Sequence, residues 1–537
     1  MNHLNQTQDQ ANVSVQFQAL ASLFVVSGII SLGIYLQTLA PTITWQHNGA
    51  DSGDFATAVA VGGVPHPPGY PTYITLGTIF QSIPIGDVAY RLNLLSAVSA
   101  ALTVALTSLI IYRVLLIHNN EGSGPKAILI WGCALTGALT LAFAPLFWSL
   151  AVVAEVYTLN TVFIAILWYG ALCLSSTNER WLLPLLSLTF GLGLGNHLTL
   201  VLILPGLPFL ITVKWRWSLV ITSLAAFCAG IAVYGVLVLR ATALPPVNWG
   251  GATTWSNFIW LVSADLYRNY LFSLPLAMIP TRLISLGQVV TLPLMGWGVP
   301  VSLMGIQFTA QKNRRLVYGL LLPGLIMAVY AVFYNTTDSL VYLLPVLMIF
   351  ALFLGWGLYH FGMHIPTLLS FQLSQAGFIL GALVLIPLLS LTLNFSGQDL
   401  SDDYEALDYG QENLHLVQPN AIIITTDDYR TFGLWYVRYA LAVRPDVAIV
   451  NSNLLVYPWY QNLIQHEHPH VSIFDNYGRP LISLSRFVEA NLATSPLYFA
   501  THSGFTPRNF ELETVGDLQH VIGPKPDGDE SVENKQD

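Results

Sequence analysis

Apolar runs long enough to cross a bilayer recur along this chain, and they restrict it to very few architectures. Such runs fall near 17–39, 89–117, 127–145, 148–174, 181–195, 198–213, 217–239, 284–308, 316–334, 340–361 and 372–393. About 20 apolar residues span the hydrocarbon layer as a helix, so the pattern predicts about eleven transmembrane helices and a polytopic α-helical membrane protein. The 181–213 region reads as two short helices meeting at Asn196 and His197, because Arg180 and Lys214 do not fit on opposite sides. Residues 72–83 are too short to span and read as a re-entrant or interfacial helix.

Charge distribution divides the chain. Only 9% of its residues are charged, against about 25% in soluble domains. Of its 29 acids, 20 fall at or after Asp399, so an acid-poor membrane part precedes an acidic soluble part. Residues 1–16 contain no Lys or Arg; without a basic leader, 17–39 reads as a retained first helix and 1–16 as a cytoplasmic segment. Lys and Arg concentrate on the cytoplasmic side of membrane proteins. Arg113, Lys126, Arg180, Lys214, Arg216, Lys312, Arg314 and Arg315 lie in one set of loops, and Arg91, Arg240, Arg268 and Arg282 in the other. That asymmetry places the loop over 40–71, the long loop 240–283, the tip 335–339 and everything after Leu393 outside the cytoplasm. No basic patch suits nucleic acid. Cys133, Cys173 and Cys228 all sit in apolar runs and form no disulfide or CxxC pattern.

Domain boundaries follow: a membrane domain over 17–394, an extracytoplasmic α/β domain over 395–523, and a disordered tail over 524–537. Within the α/β part, AIIITT at 421–426, 447–450 and LYFA at 497–500 read as buried strands, with helical spacing over 431–442. Strand, helix and strand within about 30 residues suit a βαβ unit.

The chemistry gathers in DSGDFATAVAVGGVPHPPGYP, residues 51–71. Asp51 and Asp54 are three apart, so one helical turn would face both the same way. A carboxylate there can serve as a general base or take a divalent cation; equally, Asp51 or Ser52 can cap a helix starting at Phe55. His66 precedes Pro67 and Pro68, whose fixed backbone suits either an aimed side chain or an ordinary turn; Tyr70 follows. Glu155 is a rare acid within an apolar stretch, where acids mark function or a buried partner. Asn196, His197 and Asp338 stand at turns on the same side. Arg91, Arg240, Arg268 and Arg282 are candidate holders of a phosphate through paired hydrogen bonds, or interfacial anchors that snorkel. Asp427 and Asp428 follow a strand, where α/β folds place ligands and where helix caps also occur.

The run DSGDFATAVAVGGVPHPPGYPTYITLG, followed by AYRLNLLSAVSAAL, resembles the transmembrane protein 260 family of protein O-mannosyltransferase-like membrane enzymes. WSLAVVAEVYTLN, GLGLGNHLTLVLILP, DSLVYLLPV and ITTDDYRTFGLWYVRYALAVRPDVAIVNSNLL extend the resemblance, in order, to Leu455. It implies a GT-C fold, a catalytic acid in the first outer loop and a polyprenyl-phosphate-linked sugar donor, with mannose the sugar. On it, Asp51 matches the loop acid; Asp54 stands where relatives often carry Glu; and His66, Glu155 and His197 match motif positions. No evident helical-repeat region follows the soluble segment, which leaves the acceptor, a protein hydroxyl or a glycan or lipid, open.

The resulting expectation is a membrane glycosyltransferase acting by inversion. Asp51 and Asp54 are its catalytic acids. Its substrate-binding residues are His66, Tyr70, Arg91, Glu155, Asn196, His197, Arg240, Arg268, Arg282 and Asp338. Its partners are the lipid-linked donor, membrane lipids and the acceptor, and it has no obligatory cofactor beyond a candidate divalent cation. The competing reading is a secondary transporter or flippase, which would show polar broken helices at mid-membrane and an internal repeat. A non-catalytic lipid-binding scaffold would need the helices but not the loop acids.

Overall fold

A backbone in hydrocarbon has no water to bond, so a spanning segment folds as a helix. Six helices among the described residues are long and apolar enough to cross a membrane: Gln16–Gln37, Val88–Ile117, Tyr157–Ser176, Trp217–Thr242, Arg314–Phe333 and Ser339–Met363. Shorter apolar helices accompany them, at Lys126–Ala142, Leu182–Leu194, Leu198–Leu210, Leu276–Thr291 and Leu383–Gln398. The computed structural model describes residues 2–119, 125–177, 179–294, 296–368, 375–475, 477–500 and 509–525. Nearly all of the tail expected over 524–537 lies outside these.

Three apolar runs are not the single helices that their length predicts. Residues 148–174 contain the end of a short helix, Pro145–Ser149, then an irregular stretch, then most of the helix Tyr157–Thr177. Val152, Val153 and Val156 disfavour helix, and neighbouring segments take up the freed backbone groups: Ala40 donates to the Val152 carbonyl at 3.1 Å, and the Ser96 hydroxyl meets both backbone groups of Glu155 at 3.1 Å. Residues 284–308 split into Ile279–Thr291 and Gly298–Lys312; Pro293 lacks a donor, and Gly296 takes a positive φ of 69°. The 198–213 run winds as a tighter 3₁₀ helix over Leu198–Gly206 before a short α turn.

The parts that position the site are helices α1 (Asn2–Gln37), α2 (Asp51–Ala60), α3 (Pro71–Phe80) and α4 (Val88–Asn119). Helix α4 lies at the centre of the bundle, against α1, Pro125–Ala142 and α5 (Tyr157–Thr177). Hydrogen bonds pin the segment between α1 and α2. Asn93 on α4 donates to the carbonyls of Ala40 and Thr42 at 2.8 and 2.9 Å, and the Trp148 indole donates to Thr38 Oγ1 at 2.9 Å. All of these groups are buried, where such bonds are well protected from water.

After helix Gln375–Gln398 the chain forms an α/β domain around a five-stranded sheet. Strands β1 (Ile422–Thr425), β2 (Ala448–Asn451) and β3 (Leu497–Ala500) are parallel, with Ile423 opposite both Ile449 and Tyr498. All three are buried throughout, which explains why they are apolar but for Thr425 and Asn451 at the ends of β1 and β2. An antiparallel hairpin, β4 (Phe510–Val515) and β5 (Leu518–Pro524), extends the sheet from β3, giving the order β2-β1-β3-β5-β4. Helix α6 (Asp428–Trp435) leaves β1 and widens into a π turn over Tyr436–Ala440.

This domain docks on the segment between α1 and α2. The Trp45 indole donates to the Tyr429 carbonyl at 3.0 Å, Thr44 Oγ1 bonds the Asp403 carboxylate, and the Leu400 amide donates to the Thr38 carbonyl at 3.1 Å. Helices α2 and α6 touch backbone to backbone at Gly53, where a Cβ would stand 2.6 Å from the Phe432 carbonyl oxygen.

Candidate active site

The first turn of α2 carries Asp51 and Asp54, and both reach the His66 ring. Asp54 is fully buried. Its Oδ2 accepts from the His66 amide and from His66 Nδ1, each at 2.8 Å, and its Oδ1 accepts from the Trp249 indole at 3.1 Å. Three donors leave this carboxylate no room for a substrate, and it does not face open space. Asp51 stands on the other side of the ring, with its Oδ2 3.5 Å from His66 Nε2 and 37% of its side chain exposed. The two acids therefore differ in role: Asp54 orients His66, and Asp51 is accessible.

Local sequence explains how the loop closes. Val64 forms a bridge with Asn248, its amide donating to the Val247 carbonyl at 2.9 Å and its own carbonyl accepting from Trp249 at 3.1 Å. This brings Trp249 onto Asp54 from 195 residues away. At Gly69 φ is +87°, and a Cβ would meet Leu237 at 2.9 Å, so only glycine fits there. Around the imidazole, Phe55 and Tyr70 lie 5.1 Å away by ring centre, and Phe432 of the C-terminal domain stacks at 6.3 Å with 13° between planes.

Asp51 and His66 open into a cavity of about 470 Å³, which Tyr70 and His197 also line. Asp338 contributes from the 335–338 loop, and Asp428 and Tyr429 from the start of α6. Tyrosines dominate the rest of the wall, among them Tyr157, Tyr267, Tyr334 and Tyr342. His197 packs between Tyr157 and Tyr342, at 5.4 and 5.8 Å, and accepts at Nδ1 from the Thr199 hydroxyl at 2.8 Å. Among the described residues no Lys or Arg lines the cavity; the titratable groups other than tyrosine that do are the carboxylates of Asp51, Asp338 and Asp428 and the imidazoles of His66 and His197.

Proton affinities in the site follow from that crowding. Burial pushes the Asp51 carboxyl up to about 7; His66 opposes this, and Asp428, Asp54 and Asp338 add to it. Burial alone would lower the His66 pKa, but the Asp51 charge and the Asp54 hydrogen bond outweigh it and hold the ring at about 9. At neutral pH His66 is thus a cation between two acids, with Nδ1–H donating to Asp54 and Nε2–H facing Asp51.

The other expected site residues lie away from the cavity wall. Glu155 is buried, and its Oε2 accepts from the Val156 amide at 3.3 Å. Asn196 donates to the Val156 carbonyl at 3.0 Å and so fixes the turn that presents His197. Arg91 is engaged by the Ile85 and Gly86 carbonyls and Gln81 Oε1, each at 3.0 Å. Arg240 bonds the carbonyls of Ala58 and Gly63 and the Thr78 hydroxyl, tying α2 to α3. Arg282 bonds the Ser339 hydroxyl at 2.6 Å and the Thr336 carbonyl at 2.9 Å, which braces the loop bearing Asp338. Arg268 is different: its side chain is 67% exposed, it pairs with Asp265 at 2.9 Å, and it lies in sequence between Tyr267 and Tyr270 of the wall.

Residues 51–221 match the family described as Protein O-mannosyl-transferase TMEM260 N-terminal domain, and residues 406–470 match TMEM260-associated domain 2. The chain is 24% identical to Protein O-mannosyl-transferase tmem260 of Dictyostelium discoideum, over 87% of its own length and 62% of that protein. It is 25% identical to Protein O-mannosyl-transferase TMEM260 of Mus musculus, over 77% of its own length and 60% of that protein. It thus spans about three-fifths of the length of these curated relatives. Its fold is similar to crystal structures of ArnT from Cupriavidus metallidurans. The apo form superposes with a TM-score of 0.54 at 10% identity and the undecaprenyl phosphate complex with 0.55 at 11%, each covering 93% of this chain and 97% of the other. With the apolar helices, this establishes a multi-pass membrane protein of the GT-C architecture.

Proposed function

We propose that this chain, which belongs to the TMEM260 family, is a membrane glycosyltransferase that moves a sugar, mannose, from a polyprenyl phosphate to a hydroxyl of an acceptor protein. The names of its relatives supply the sugar and the protein acceptor, and the lipid-bound ArnT supplies the class of donor. The cavity and the C-terminal domain that roofs it face the extracytoplasmic side in this reading, as the Lys and Arg distribution suggests.

Asp51 is the base. It takes the acceptor's hydroxyl proton while the acceptor oxygen bonds the anomeric carbon. The bond from that carbon to the phosphate oxygen breaks, its electron pair leaves with the polyprenyl phosphate, and the configuration inverts. A base works best with a pKa near the working pH, and burial raises Asp51 toward that value. His66, clamped by Asp54, keeps Asp51 ionised and aimed. Among the four candidate arginines, this reading assigns the donor phosphate to Arg268, whose exposed ion pair is worth only about 0–1 kcal/mol and is readily exchanged. Arg91, Arg240 and Arg282 hold the backbone.

The observation that carries this reading is that Asp51 has an accessible carboxylate on the wall of a cavity at the end of an apolar helix bundle. The test is transfer from labelled mannosyl-phosphoryl-polyprenol by purified Asp51→Asn protein. A loss of at least about 100-fold is expected; full activity at normal expression would overturn the assignment.

A further inference from the structure

The adjacent acids Asp427 and Asp428 divide their roles in the structure. Asp427 is the N-cap of α6, accepting from the Arg430 amide at 2.9 Å and its guanidinium at 2.8 Å. Asp428 faces the cavity with Asp51, and its side chain has no hydrogen bond or ion pair among the described residues. It reaches the site from a different domain, held there by the contact of α6 with α2 at Gly53 and the bond from Trp45 to the Tyr429 carbonyl.

A carboxylate without a partner repels the donor phosphate, so Asp428 does not hold that group. It also belongs to the C-terminal domain, and not to the apolar helices along which a lipid chain must lie. A hydroxyl-bearing acceptor comes from the aqueous side and offers donors that a free carboxylate can accept.

Resting on the glycosyltransferase reading above, we propose that Asp428 is the acceptor-holding residue: its carboxylate accepts hydrogen bonds from the acceptor polypeptide beside the reactive hydroxyl and turns that hydroxyl toward Asp51. Asp338, on the same wall and likewise unpaired among the described residues, adds a second negative charge. The acceptor segment is therefore neutral or cationic around its Ser or Thr, and an acid next to the hydroxyl is rejected.

The experiment uses the full chain in lipid nanodiscs and two threonine peptides, one with Lys and one with Glu beside the threonine. Transfer selectivity is read as the ratio of kcat/KM for the two. The wild type is expected to favour the Lys peptide by about tenfold or more, and Asp428→Asn to reduce that ratio severalfold by raising KM for the Lys peptide. Asp427→Asn is the folding control; it is expected to lower the thermal midpoint and keep the ratio. Peptide binding is measured separately, without turnover, in Asp51→Asn and in the Asp51→Asn, Asp428→Asn double variant, with about tenfold weaker binding expected for the double variant. Equal peptide affinity in these two proteins, or a selectivity ratio unchanged by Asp428→Asn, overturns the proposal. Binding that depends on Asp428 in a wild type that transfers no sugar would sustain the acceptor site and overturn the transferase reading instead.

Discussion

Asp54→Asn isolates the clamp beneath the base. The asparagine amide has one acceptor oxygen where the carboxylate has two. With that oxygen turned to the two His66 donors, its NH₂ meets the Trp249 indole N–H, which in the wild type donates to Asp54 Oδ1 at 3.1 Å, and that donor is left buried and unpaired. Two charge-assisted bonds become neutral, at about 1 kcal/mol each, and an unsatisfied buried donor costs about 1–3 kcal/mol, so the loss is about 3–5 kcal/mol. The chemistry shifts as well. Asp54 helps to hold His66 near 9, so without its charge the ring loses its proton at lower pH. Loss of the Asp54 charge by itself lowers the Asp51 carboxyl, but His66 is the stronger influence on Asp51, so once the ring has lost its proton the Asp51 carboxyl rises above about 7. Because the base must be ionised, the acidic limb of the transfer rate moves to higher pH. The assay is the pH dependence of mannosyl transfer by wild type and variant, beside their thermal midpoints. A variant with the wild-type limb, rate and midpoint would refute the idea that Asp54 acts through His66 on Asp51.

Further expectations concern the frame of the site. Gly53→Val would push a side chain against the Phe432 carbonyl. Overpacking of about 1–3 kcal/mol should loosen α6 from α2, seen as faster proteolysis of the C-terminal domain and lost transfer, with membrane insertion intact. Arg268→Ala should raise the KM for the lipid donor about tenfold, while Arg91→Gln, remote from the wall, leaves that KM unchanged; equal effects would remove Arg268 from the donor site. In the C-terminal domain, the Arg444 guanidinium holds the Asp446 carboxyl well below the usual carboxylate range. A depressed folded-state pKa adds stability above the unfolded value of about 4, and that stability is lost as pH falls through the folded value. Asp446→Asn should therefore lower the unfolding midpoint at pH 7 and flatten its decline in acid.

Much of this architecture is legible in the sequence because hydrocarbon permits so few backbones. Apolar length marks the helices, and short, mostly apolar runs mark the sheet at β1, β2 and β3. What length does not reveal is a break: the chain leaves the helix at 150–156, where partners on other segments take up its backbone groups, and again after Thr291, and periodicity does not register either. At the site, Asp51, His66, Tyr70, His197 and Asp338 do share one cavity, since polar residues at helix ends on one side have few other places to converge. The arginines are ambiguous in sequence because a cation near a phosphate and a cation bonding carbonyls look alike there. The tyrosine wall is hidden because Tyr157, Tyr330 and Tyr342 count as apolar within their runs; their clustering in YAVFYNTTDSLVY, residues 330–342, is the available signal. Trp249 and Asp428 come from distant segments, and only the docked C-terminal domain and the Val64–Asn248 bridge bring them in.

Asp51 as the base is tested most directly by a structure of the full chain in lipid with a non-hydrolysable mannosyl-phosphoryl-polyprenol analogue and an acceptor peptide. The sugar is expected in the cavity, with the acceptor hydroxyl between its reactive carbon and Asp51, within about 2.6–3.2 Å of the carboxylate, and with the phosphate toward Arg268. A headgroup bound elsewhere, with the Asp51 cavity empty or facing the cytosol, would contradict the assignment.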